Sequence, residues 1–121
     1  MGDKTAAVQA IKATIALKVA ARDKLEQVIA RKTLQGADVD QERADIAELN
    51  TEIGDARNLL AVLKAANVVV SAPTADEIAD VTKTEQAIRA LAVEDAMTQA
   101  GLDLIKKGIE GAGQLSGKVK V

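Results

Sequence analysis

The 121-residue chain contains no Phe, Tyr, Trp, His or Cys, and a single proline. Each absence removes a class of chemistry. Without His and Cys, the usual general acid–base group, the thiol nucleophile and the commonest transition-metal ligands are missing. Ser and Thr hydroxyls have no His partner, and no Ser-x-x-Lys motif replaces it: Ser71 is followed three residues on by Thr74, and Ser116 by Val119. Without aromatic rings there is no stacking platform for bases. Without cysteine there is no disulfide framework and no indication of redox compartment. Long apolar runs are lacking as well. The longest uncharged stretch, Ala65 to Ala75, is 11 residues, well short of the ~20 a membrane span needs. An excess of one charge sign is also absent: 16 Lys and Arg face 18 Asp and Glu, a net charge of −2. Neither nucleic acid nor an anionic membrane is therefore expected as a partner.

What is present is alanine and helical spacing. The chain holds 24 Ala beside 34 Val, Ile, Leu and Met. Ala has the highest helix propensity and lets helix backbones approach closely. Its small side chain buries little area, however, and stabilisation scales at roughly 25 cal/mol per Å². Charge is segregated along the sequence: residues 1–35 carry +4, residues 36–70 carry −4, residues 71–107 carry −3, and the remainder +1. One basic segment followed by two acidic ones predicts helices of complementary charge packed on one another. In its shortage of aromatics and cysteine the composition resembles that of self-assembling bacterial helical proteins such as flagellar and secretion-needle subunits. No motif matches them, so no residue role follows.

The predicted fold is all-α: an elongated up-down-up three-helix bundle in one domain over residues 1–108, with helices at about 4–34, 39–68 and 75–107. Residues 109–121, with Gly111, Gly113 and Gly117, read as a flexible C-terminal tail. Gly36 suits the residue after a helix C-terminus, and Asp38 with Gln41 has the spacing of a capping box. The β-branched triplet Val68, Val69 and Val70 and the single proline, Pro73, end the second helix and pull the chain extended, and Thr74 with Glu77 forms another capping box. On the second helix, Ile46, Leu49, Ile53, Ala56, Leu60, Leu63 and Asn67 alternate at three and four residues, a heptad packing seam that Val39 and Glu42 extend backwards. The first and third helices each carry two apolar lines: Val8, Ile11, Ile15, Leu25 and Ile29 with Leu17, Ala21 and Val28; and Val81, Ile88, Leu91, Leu102, Ile105 and Ile109 with Val93, Met97, Ala100 and Leu104. Two lines per helix imply two neighbours, which points to oligomerisation into a larger bundle.

The apolar stripes are interrupted mid-helix by Lys18 and Arg22 and by Asp95 and Thr98. For straight helices folded back at Gly36 and Ser71, these positions fall at one height. They predict an interior polar layer in which Arg22 or Lys18 faces Asp95, with Asn50 or Glu48 nearby. Its structural role would be to fix register; its functional alternative is a small-molecule or ion site. Other candidate sites fail on spacing. Asp38, Asp40 and Glu42 open like a calcium loop, but Arg43 stands where glycine is needed and Leu49 where glutamate is. Residues 111–118 lack the first glycine of a phosphate loop and the Ser or Thr after Lys118. Glu48 and Glu52 lack the His and facing carboxylates of a di-metal bundle.

The expectation is thus no catalytic, cofactor or metal residues, and a non-catalytic structural or interaction protein acting by helix packing. Its partner would be a second copy of itself or another helical protein. Asp3, Lys4, Lys12 and Lys18 break up any signal-peptide core, and Gly2 is followed by Ala6 where a myristoylation signal needs Ser or Thr. The expected location is cytoplasmic, with export by a route without a cleaved signal left open.

Overall fold

Alanine-rich segments with apolar residues every three or four positions form helices, and their buried faces fix which neighbours each helix acquires. The computed structural model describes residues 2–65 and 70–120. It is all-α, with α1 at Gly2–Leu34, α2 at Asp40–Ala65, α3 at Ala75–Ala90, α4 at Val93–Ala96 and α5 at Gln99–Gly117. Among the described residues, five helices therefore replace the three expected. The first two lie close to their predicted bounds; the last turn of the predicted second helix, including Asn67, lies outside the described residues. The predicted third helix is divided into α3, α4 and α5.

Helix α1, at 33 residues about 50 Å long, is the central element. It packs against each of the other four helices. Its Ala7, Ala10, Ile11, Leu17, Ala21 and Val28 are wholly buried, and the alanines let neighbouring backbones come close. α3 and α5 pack on α1 and on each other, and α4 bridges α1 and α5. Gly108 of α5 sits where three helices meet. A Cβ placed there would stand 2.8 Å from Ile88 Cδ1, 3.1 Å from Thr84 Cγ2 and 3.5 Å from Leu17 Cδ1. α2 behaves differently: among the described residues it packs on α1 alone. The heptad seam supplies that contact, with Leu49, Ile53, Ala56 and Leu63 buried and Ile46 and Leu60 partly so. Val39 and Glu42, the backward extension of the seam, are buried too.

The connections show which local signals acted. Gly36 adopts φ 72°, the left-handed conformation that closes a helix without a Cβ penalty. The capping box expected at Asp38 and Gln41 does not form. Asp38 Oδ1 instead accepts from Asp40 N at 2.9 Å, an Asx turn, and Gln41 bonds to Asp45. The Thr74–Glu77 box forms in full, each side chain accepting from the other's backbone N–H.

The break after α3 is held from a distance. Leu91 and Ala92 are extended, and Lys24 of α1 donates to Leu91 O at 2.6 Å and Arg89 O at 3.4 Å, as well as to Gln27 Oε1 at 3.3 Å. The ammonium satisfies carbonyls that the end of a helix leaves without intrahelical partners. At the second break, Thr98 caps α5 by accepting from Gly101 N at 3.1 Å and donates to Asp95 O at 2.6 Å. Gly101 is required there, because a Cβ would lie 1.9 Å from Asp95 O.

The C-terminal segment is not the flexible tail expected over 109–121, of which Val121 lies outside the described residues. Residues 109–117 complete α5, and Ala112, Leu115 and Val119 are buried. Ser71 and Lys120 exchange backbone hydrogen bonds at 2.9 and 3.3 Å, and Lys118 pairs with Glu77. The tertiary contacts of α5 outweigh the low helix propensity of its glycines.

Candidate functional site

Part of the segregated charge is used between helices. Cations of α1 meet acids of the other helices: Lys18 pairs with Glu52 at 2.9 Å, Lys32 with Glu42 at 2.5 Å, and Arg31 with Glu94. Glu94 is exposed at the start of α4. Its carboxyl titrates below the ordinary glutamate range, first because its own backbone N–H bonds to the carboxylate and then because Arg31 stands beside it. Thr14, wholly buried, donates to Ala10 O at 2.9 Å and lies 3.3 Å from Ala112 O, which ties α1 to α5. Among the described residues, every buried side-chain nitrogen or oxygen has a partner.

The predicted polar layer is only partly assembled. Arg22 Nη1 donates to Asn50 Oδ1 at 3.2 Å, and the same guanidinium contacts Asp23 at 3.4 Å. The level of Asn50 opposite Arg22 is as expected. Asp95 does not join it. Its residue is exposed, its backbone carbonyl is engaged by Thr98, and no ion pair reaches its carboxylate among the described residues. A shared height requires a straight third helix, and the chain is broken on either side of α4. Lys18 is buried and takes Glu52 instead. Thr98 is a helix cap rather than a layer member.

The feature that sequence spacing alone did not expose is a groove. α2 and α5 both lie on α1, yet no Cα of one comes within 8 Å of a Cα of the other among the described residues. Between them runs a cleft of about 360 Å³ with Leu49 and Ile109 among its walls, continuing into one of about 270 Å³ where Ile11, Thr14 and Lys18 of α1 form part of the lining. Glu52 belongs to both parts. The α2 wall carries Asp45, Glu48, Glu52 and Asp55 at successive steps of three, four and three residues, followed by Leu59. Val62, 52% exposed, continues that edge. The acids were visible in the sequence as helix-surface charge; what hid the groove was the expectation that a third straight helix would close against α2.

The groove lining offers apolar contact and negative charge. No group of three or more Asp or Glu side chains among the described residues converges to hold a metal ion. No helix among them is long and apolar enough to cross a membrane. Comparison of the chain with family models, curated proteins and solved structures finds no match.

Proposed function

We propose that this is a non-catalytic helical protein that works by packing a further helix, from a second copy or from another protein, onto its surface. The observation that carries the reading is the one-sided attachment of α2. This helix buries its seam on α1 and leaves the flank bearing Leu59 and Val62 beside an open groove. α2 and α5 both pack on α1 and not on each other among the described residues, so a further helix laid in the groove would have a helix on either side. The lack of His and Cys and of a convergent acid cluster among the described residues favours this reading over catalysis. A ligand or ion site at the Arg22/Asp95 level draws no support, since the two groups are not brought together.

The test compares the wild type with Leu59→Glu, which places a charge on the groove wall. Light scattering at high concentration reports self-association, and quantitative pull-down reports partners. Self-association or a captured protein that disappears in the variant supports the proposal. A wild type that is monomeric and captures the same proteins as the variant refutes it.

A further inference from the structure

Building on the reading of the groove as a helix-docking surface, we infer that its occupant is a cationic amphipathic helix of a partner protein. The lining contains five carboxylates, on Asp45, Glu48, Glu52, Asp55 and Glu110, against two ammonium groups, on Lys18 and Lys106, so the groove carries a net −3. Lys18 is already committed to Glu52. Glu48, Asp55 and Glu110 have no ion-pair partner among the described residues.

The spacing of the acids selects a helical ligand. From Asp45 to Asp55 the α2 wall spans ten residues, about 15 Å, with an acid at every near-turn. A facing helix with Lys or Arg at steps of three and four matches this row along its length. Its apolar residues would lie against Leu49, Leu59 and Ile109 while its cations face α2. A single small cation would meet only one or two of these acids, which stand in a row and do not converge.

A second copy is the weaker occupant. A docking helix must bring an apolar stripe as well as cations, and this chain keeps its own stripes in its core. Among the described residues, the large hydrophobic side chains classed as exposed are Leu34 and Val62. Leu34 closes α1 and Val62 stands three residues beyond Leu59 on α2, so no surface helix among the described residues presents the required face.

The test uses the full-length protein and a synthetic fluorescein-labelled helix of about 18 residues, roughly 27 Å long, with a leucine face flanked by lysines. Anisotropy is read against two control peptides, one with Lys→Glu and one with Leu→Ser, and against spermine. The expected result is saturable binding by the parent peptide that weakens at least about tenfold when salt rises from about 0.05 M to about 0.5 M. Both control peptides should lose most of the affinity. Glu48→Lys with Asp55→Lys should also lower affinity at least about tenfold, because each reversal replaces an attraction by a repulsion. Glu26→Lys with Asp103→Lys, equal in charge change and exposed outside the groove lining, should lower it by less than about threefold by long-range screening alone. Circular dichroism checks that both variants keep their helix content.

Equal losses in the two double variants would overturn the assignment to the groove. Undiminished binding of the Leu→Ser peptide, or spermine binding as tightly as the parent, would overturn the amphipathic helix. No binding of the parent overturns the cationic partner class. In that last case a Leu59-dependent self-association or pull-down would still leave the broader docking reading standing, so the two failures are distinguishable.

Discussion

Replacing Lys24 by methionine removes one ammonium while keeping most of the side-chain stem, and the structure fixes what is lost. Lys24 is 7% exposed, and its Nζ donates to Leu91 O, Arg89 O and Gln27 Oε1. A hydrogen bond to a charged group contributes about 1.5–3 kcal/mol, and a partly buried cation at a helix C-terminus up to about 2 kcal/mol. These overlap, because the same carbonyls are counted in both. Desolvation of the ammonium offsets part of the gain. The short 2.6 Å bond to Leu91 O carries most of the remainder, which sets the expected loss for Lys24→Met at about 2 kcal/mol. Lys24→Ala should cost about 1 kcal/mol more through the lost stem contacts.

The assay is urea unfolding followed by circular dichroism at 222 nm, since the chain has no Trp or Tyr to report by fluorescence. Amide exchange supplies the local readout: the amides over residues 91–98 should lose protection before those of α2. A Lys24→Met protein within about 0.5 kcal/mol of wild type, the behaviour of an ordinary surface position, would refute the claim that this lysine holds the α3–α4 break.

Other substitutions test the packing with opposite signs. Gly54 is exposed in α2 with nothing within 4 Å of an added Cβ, so Gly54→Ala should raise stability by up to about 1 kcal/mol through helix propensity. Gly101→Ala should instead lower the melting temperature clearly, because its Cβ would stand 1.9 Å from Asp95 O and 2.7 Å from Asp95 C and the backbone has to move. Thr14→Val keeps the shape but removes the hydroxyl bonded to Ala10 O and Ala112 O; a loss of about 1 kcal/mol is expected in the same urea assay. The Glu94 carboxyl, held low by its own backbone N–H and by Arg31, should titrate by carboxyl-carbon NMR below the ordinary glutamate range. Because its folded pKa is depressed, its contribution to stability is present above the unfolded pKa and is lost as pH falls through the folded one. Arg31→Ala should move the Glu94 midpoint upward but leave part of the depression in place.

The sequence carried the helical class, the α1–α2 turn and the α2 seam because those depend on local signals: a 3–4 apolar rhythm, Gly36, and the Thr74–Glu77 box. It did not carry the break at Leu91 and Ala92. Neither residue is a glycine or proline, and the group that stabilises their extended backbone, Lys24, is 67 residues away from Leu91. The C-terminal helix was obscured for the opposite reason. Five glycines between Gln99 and Gly117 mask a stripe of Ile105, Gly108, Ala112 and Leu115 that is buried on tertiary contact. Gly108 reads as a breaker in isolation, yet its missing side chain makes room for Ile88, Thr84 and Leu17. The Arg22–Asp95 layer failed with the straight-helix assumption on which it depended, whereas the Arg22–Asn50 level, which depended only on the turn at Gly36, is present. The groove is a consequence of both misreadings, since it exists only where α5 follows its own course along α1.

The most direct measurement is a backbone and methyl NOE map of the isotopically labelled protein. Leu17 and Ile88 methyl groups, both within contact range of the Gly108 position, should show cross-peaks that place α1 between its neighbours, and α2 should show backbone contacts to α1 only. Backbone cross-peaks joining residues 45–59 of α2 to residues 106–116 of α5 would mean that the groove is closed, and would contradict the docking surface on which the functional reading rests.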